Sequence, residues 1–139
     1  MAEETNQLRV RLVTPERILF DRAAASVELP SKSGYMEVLY GHAPLVAELG
    51  AGDVTLHAPD GDQIYNVSWG FVEVLGDRVT ILASDALKPE EIDVPRAEQQ
   101  LDRGVQLWKE AGDSEEAYDE ALRINAEAEA KMATAAEKR

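Results

Sequence analysis

Residues 34–45 read Gly34-Tyr35-Met36-Glu37-Val38-Leu39-Tyr40-Gly41-His42-Ala43-Pro44-Leu45. Two glycines, a histidine and a proline punctuate an apolar stretch around Val38-Leu39-Tyr40. This is the composition of a tight strand, loop, strand passage. Gly41 tolerates positive φ or the close approach of another backbone, and Pro44 biases Ala43 away from the α region. A loop held in this way by a rigid sheet is a common setting for a contact surface.

Working outward, Leu8, Val10 and Leu12 alternate with Arg9 and Arg11, which predicts a strand with one wet face. Thr14-Pro15-Glu16 turns the chain, Arg17 to Phe20 and Ala23 to Leu29 are short strand candidates, and Pro30 to Gly34 is turn by composition. Downstream, Leu45 to Leu49 continues the apolar pattern, Gly50-Ala51-Gly52 is predicted to break it, and Val54 to His57 to resume it. Asp60-Gly61 is the clearest hairpin turn, between Val54–His57 and Ile64–Val67. Gly76-Asp77 makes a second, between Phe71–Leu75 and Val79–Ala83. Eight to ten short strands with no room for crossover helices predict an all-β sandwich over residues 1–88. Tyr65, Val67 and Trp69 share one strand face, so Trp69 reads as core filler.

Composition changes at Lys88-Pro89-Glu90-Glu91, beyond which Ala, Glu and Arg replace Gly and the β-branched residues. Asp93 is the predicted N-cap of a first helix, and Pro95 is tolerable in its first turn. Ala97, Leu101, Val105, Trp108 and Ala111 recur at helical spacing. Gly112 is predicted to end that helix, and Asp113 with Glu116 to open the next in a capping-box-like start. Ala117, Ala121, Ile124, Ala128, Met132 and Ala135 form its stripe. Residues 89–139 are therefore predicted to be an antiparallel α-helical hairpin. An alanine stripe buries little area, at about 25 cal/mol per Å², so the hairpin should be weakly held, and Gly104 in mid-helix adds about 1 kcal/mol of local cost.

A chain of 139 residues with 45% hydrophobic content supports one modest core or a core with an appendage. It has no cysteine, which removes disulfides and thiolate chemistry. The net charge of -13, spread along the chain, argues against nucleic acid and against adsorption to an anionic membrane. Met1 to Gln7 has neither the basic and apolar regions of a signal peptide nor the arginines of a transit peptide, which favours a bacterial cytoplasmic protein. No stretch approaches the roughly 20 apolar residues that span a bilayer, so no direct membrane insertion is expected. There is no P-loop. His42 as a catalytic base lacks a nucleophile with fitting spacing. With His42 and His57 the only histidines, a zinc site would need carboxylates and shows no motif, so no metal is expected.

The Gly34–Leu45 stretch resembles the signature turn of the epsilon-subunit family of the bacterial F-type (rotary) ATP synthase, where a run like G-x-L-G-I-x-P-G-H-A-P-L is usual. It matches at Gly34, Gly41, His42, Ala43, Pro44 and Leu45, and departs at Glu37 and Tyr40. Other pieces follow in the family's order: an N-terminal L-R-V-R-L-V-T-P-E, the strands from Tyr65 to Val74 and from Asp77 to Ala83, and Ile92-Asp93-x-x-Arg96-Ala97 opening the tail. The resemblance covers nearly the whole chain. It implies a non-catalytic central-stalk subunit of a proton-translocating synthase, on the cytoplasmic face of the bacterial membrane within the F1 sector. Its implied partners are the gamma subunit, the polar loops of the c-ring and, when the hairpin extends, the catalytic beta and alpha subunits.

The same resemblance implies that Tyr35 and His42 meet the c-ring, the competing reading of His42 being a structural turn. It suggests Trp69 and Phe71 for the stalk contact. In some relatives the folded hairpin binds ATP through arginines of both helices. Asp93, Arg96 and Arg103 match the first helix, and Arg123 is a partial substitute in the second, where Ala126-Glu127 and Ala130-Lys131 stand in place of arginines. ATP binding is therefore expected to be absent or millimolar, since polyphosphate needs dense positive charge. The competing reading of Asp93 and Arg96 is a helix cap and a surface ion pair. The implied regulatory contacts are Arg123, Lys131, Lys138 and Arg139. Residues 89–139 hold 7 Lys or Arg against 14 Asp or Glu, so modest inhibition of hydrolysis, growing as salt screens repulsion, is expected. The alternative to the rotary motor is a free-standing β-sandwich adaptor with a helical tail.

Overall fold

A computed structural model of the chain describes residues 6–138, the side chain of Lys138 excepted. The chain divides after Leu87 into two compact units. The first contains seven strands: β1 (Leu8–Val13), β2 (Ile18–Ala24), β3 (Ser26–Ser31), β4 (Gly34–Leu39), β5 (Leu45–Ala58), β6 (Gly61–Leu75) and β7 (Arg78–Leu87). They form one sheet in the order β2-β1-β7-β6-β5-β3-β4. β1 and β7 are parallel, and the other neighbours are antiparallel.

One sheet becomes two layers because its three longest strands change faces at one level. In β6 the buried core residues are Tyr65 and Val67 before the switch, but Val72 and Val74 after it. β5 changes from Leu49 to Val54 and Leu56, and β7 from Val79, Ile81 and Ala83 to Ala86. Strand side chains alternate with period two, so each change of parity turns the other face of that strand inward. The switch points are neighbours, flanked by the pairs Leu49↔Gly70, Ala51↔Ser68, Gly70↔Ala83 and Ser68↔Asp85. In β6 the switch is made by Trp69 at φ 59 and Gly70 at φ 131. Residues from both ends of these strands enter one core cluster. Phe20 of β2 meets Tyr65 of β6 within it, their ring centroids 5.4 Å apart.

The switch explains where the predicted strands differ from the observed ones. Seven strands replace the expected eight to ten because Gly50-Ala51-Gly52 and Trp69-Gly70 redirect strands without ending them. The β5–β6 ladder runs from Leu45↔Val74 to Ala58↔Gly61. The glycine segment disrupts only the other side of β5: between Glu28↔Thr55 and Ser31↔Leu49, β3 advances three residues while β5 advances six. There the Tyr35 hydroxyl accepts a hydrogen bond from the Asp53 N–H at 2.8 Å, which satisfies a backbone donor at the disruption. A Cβ on Gly52 would collide with that hydroxyl. Trp69 is half-buried at the switch and is not core filler. The candidate strand Ala23–Leu29 is divided at Ala25, and the predicted turn at Pro30–Gly34 contracts to Lys32-Ser33.

The second unit begins with a 3₁₀ turn, Pro89–Glu91, followed by α1 (Val94–Glu110) and α2 (Glu115–Lys138). Asp93 caps α1, its Oδ1 accepting from the Arg96 N–H at 3.1 Å. Gly112 takes φ 58 in the connection. The cap of α2 is Ser114 in place of the expected Asp113: its Oγ accepts from the Ala117 N–H at 3.2 Å. The helix seam also shifts. Ala97 and Gly104 of α1 and Ala121, Ala128 and Ala135 of α2 are buried, whereas Val105, Trp108 and Ala117 are exposed. Gly104 is thus a contact residue, and a Cβ there would collide with Asn125 Oδ1. That buried oxygen has no hydrogen-bond partner among the described residues, a cost of about 1–3 kcal/mol in an already thin seam.

Gly70→Ala should be among the most damaging single substitutions in the sheet. The added Cβ would collide with the Leu82 carbonyl oxygen and would have to adopt φ 131. A loss of about 3 kcal/mol or more is expected, from strain and lost pairing, and urea unfolding would measure it. A loss within the ordinary surface range would contradict the proposed role of the switch.

Candidate functional site

The face switch determines which apolar residues are left outside. Past Gly70, odd positions of β6 point away from the core, so Phe71 and Leu75 are 54% and 60% exposed. Phe71 lies opposite Leu82 on β7 and Glu48 on β5. Directly opposed residues share a face, and Leu82 and Val46 are likewise exposed. Val46, Phe71, Leu75 and Leu82 thus make an apolar outer face, with Glu48 and Glu73 among them. Across β7 and β1 it is bordered by a groove that includes Arg9, Arg11, Asp21, Arg78 and Thr80. Arg9 is held by Asp21 at 2.7 Å.

The structure does not bring Tyr35 and His42 to one spot. Tyr35 stands at the start of β4 and His42 three residues beyond its end, a separation of seven residues in a chain that rises about 3.3 Å per strand residue. The Tyr35 ring is exposed although its hydroxyl is used internally. His42 is occupied locally: its N–H donates to the Leu39 carbonyl at 3.1 Å, and its Nδ1 lies 2.6 Å from the Ala43 carbonyl. A carbonyl only accepts, so Nδ1 carries a hydrogen. Gly41 takes φ 90, and Leu39 and Tyr40 beside it are half exposed. Sequence reading missed these two, although Tyr40 marked a departure from the motif.

A polar cluster lies on β3 to β6. Glu28 and Glu37 are directly opposed on β3 and β4, and Ser26 and His57 on β3 and β5. His57 Nε2 lies 2.8 Å from Glu28 Oε2, and Nδ1 lies 2.8 Å from Asp62 Oδ1. Ser26 Oγ donates to Glu37 Oε2 at 3.0 Å. The hydrogen bond to Glu28, then that to Asp62, raises the His57 pKa above its ordinary 6.5. These residues are too far apart in sequence to form a spacing motif, because strand register assembles them.

On the helices, Arg96, Arg103 and Arg123 are all exposed. Arg96 and Arg103 are seven residues apart, about two turns along α1. Lys131 is turned inward, 12% exposed and 3.6 Å from Glu127, so Glu127 is met by a cation of its own helix. The side chain of Lys138 and the whole of Arg139 lie outside the described residues. Val105, Trp108, Tyr118 and Leu122 are exposed, with Trp108 and Tyr118 ring centroids 6.5 Å apart. Among the described residues no helix is long and apolar enough to cross a membrane.

The family model "ATP synthase, Delta/Epsilon chain, beta-sandwich domain" matches residues 7–89, the greater part of the chain. The chain belongs to the ATP synthase delta/epsilon family. The likeness extends through the helices. An ATP synthase epsilon chain of Solibacter usitatus is 40% identical over 133 residues, covering 94% of this chain and 97% of that one. One from Koribacter versatilis is 41% identical over 101 residues, 73% and 71% of the two chains. The fold is similar to a chain of the Euglena gracilis mitochondrial ATP synthase, solved with OSCP, F1 and c-ring, at TM-score 0.79 and 21% identity, covering 95% and 83% of the two chains. A chain of the Tetrahymena thermophila central stalk and c-ring gives 0.67 at 13% identity, covering 96% and 99%. As a delta/epsilon family member the chain is a non-catalytic central-stalk subunit of the rotary synthase.

In metal-free buffer His57 should titrate above 6.5, and Glu28→Gln with Asp62→Asn should return it toward the ordinary value. Because the folded pKa is the raised one, the stability it contributes is fully present below the unfolded pKa and fades as pH rises through the folded pKa. Imidazole chemical shifts against pH would show this, and an unshifted midpoint would contradict it. Calorimetry of the isolated chain with ATP is expected to give no micromolar binding.

Proposed function

We propose that the chain joins a gamma-type stalk subunit to the c-ring of a bacterial, proton-translocating synthase, as part of the F1 sector on the cytoplasmic face of the membrane. The observation that carries this reading is the apolar outer face of Val46, Phe71, Leu75 and Leu82 in a chain whose likeness to epsilon chains is nearly full-length. An apolar cluster on a sheet face within charged surroundings suits a permanent protein partner. Of the two stalk residues expected from sequence, Phe71 belongs to this face, while Trp69 holds the switch behind it. Tyr35 and His42, with Leu39 and Tyr40, would meet the c-ring as one extended edge.

The hairpin is the regulatory element. Its thin alanine and glycine seam and the unpaired Asn125 oxygen favour exchange with an extended form that reaches the alpha and beta subunits. Arg123, Lys131, Lys138 and Arg139 would make local contacts there against an acidic background. In the folded form Lys131 pairs with Glu127 of its own helix, so a contact of Lys131 with a partner subunit competes with that pair. Trp108 and Tyr118 add an apolar surface that salt does not weaken.

A chain ended at Lys88 should still pull down the gamma-type subunit, while Phe71→Glu with Leu82→Glu should weaken capture by at least tenfold. Loss of capture on truncation would refute docking through the sheet. In the reconstituted catalytic core, the full chain should inhibit ATP hydrolysis modestly relative to the truncated one, and more at moderate than at low salt. Equal rates at every salt concentration would eliminate the regulatory role.

A further inference from the structure

We propose that Glu28, Glu37 and His57 form a binding site for a divalent cation of the zinc class, with Asp62 and Ser26 orienting the ligands. One ligand oxygen from each glutamate and a ring nitrogen of His57 lie within 4.8 Å of one another. Zinc bonds of about 2.0–2.2 Å place tetrahedral donors about 3.3–3.6 Å apart. The 2.8 Å between His57 Nε2 and Glu28 Oε2 therefore has to open by roughly 0.5–0.8 Å.

Two further features match such a site. Directly opposed like charges destabilise a sheet, yet Glu28 and Glu37 are cross-strand partners. In the free chain the hydrogen bond that His57 Nε2 donates to Glu28 offsets part of this, and a divalent cation displacing that hydrogen would offset it more fully. The ligands are also backed from outside. Asp62 takes the Nδ1 side of His57, which leaves Nε2 facing the glutamates, the usual carboxylate–histidine–metal arrangement. Ser26, only 6% exposed, holds one oxygen of Glu37 and leaves the other available. Mixed nitrogen and oxygen donors favour zinc and its neighbours over magnesium or calcium. Three protein ligands leave a fourth position for water.

The ligands come from β3, β4 and β5, so the ion would tie edge strand β4 to the interior of the sheet. β4 begins with the Tyr35 segment and leads into the His42 loop. Occupancy would thus steady that edge independently of any partner protein, by binding the folded state in preference to the unfolded one.

Untagged full-length chain, stripped with chelator, would be titrated with zinc chloride by calorimetry and in thermal melts. One zinc per chain is expected, at micromolar or tighter affinity, with a raised melting midpoint. His57→Ala and Glu37→Gln should abolish both effects, Asp62→Asn should weaken binding about 10–100-fold, His42→Ala should bind zinc as the parent does, and magnesium should produce neither effect. Glu37→Gln removes a like-charge pair, so its zinc-free midpoint should not fall, which separates lost ligation from misfolding. Absence of saturable binding at submillimolar zinc, or binding by His57→Ala or Glu37→Gln as in the parent, would overturn the proposal.

Discussion

The coordinated face switch at the centre of β5, β6 and β7 is the constraint on which the β unit depends. Reversing the inward face halfway along three neighbouring strands lets the two ends of one sheet become the two walls of a sandwich. In β6 the reversal uses backbone that ordinary residues resist. Gly70 supplies positive φ and room for the Leu82 carbonyl, and Trp69 beside it also takes positive φ, at 59°. Both the core and the apolar outer face follow from that change of parity, since it turns Phe71 outward and Val72 inward.

Much of this was legible in the sequence. The hairpins at Asp60-Gly61 and Gly76-Asp77 and the Asp93 cap follow from turn chemistry, and each lies where expected. The long strands were not legible. Gly50-Ala51-Gly52 has the composition of a strand end, and only the uninterrupted pairing of β5 with β6 shows that the glycines disrupt one ladder and preserve the other. Ala121, Ala128 and Ala135 of α2 lie on the expected stripe, whereas in the middle of α1 the seam falls one position away, because helical spacing alone does not choose between Gly104 and Val105. Close packing against Asn125 selects the residue without a side chain.

Legibility of the candidate sites divides in the same way. The Gly34–Leu45 motif indicated a contact loop, but not that the Tyr35 hydroxyl is spent on Asp53 or that His42 serves its own turn. Phe71 was visible as an aromatic near a glycine, whereas its partners Leu82, Val46 and Leu75 emerged only from strand register. The cluster around His57 was invisible for the same reason. Glu28, Glu37, His57 and Asp62 come from four strands, and no linear spacing unites them. In the helices, mean charge was readable while its placement was not, as the inward turn of Lys131 toward Glu127 shows.

The central claim is that one sheet face, fixed by the switch, is the docking surface of this delta/epsilon family member on its stalk. Amide hydrogen exchange of the chain, free and bound to a gamma-type subunit, tests it most directly. Binding should slow exchange in the segments 46–48, 71–75 and 80–82, with little change in residues 89–139. Protection confined to the helices, with those strand segments unchanged, would contradict it.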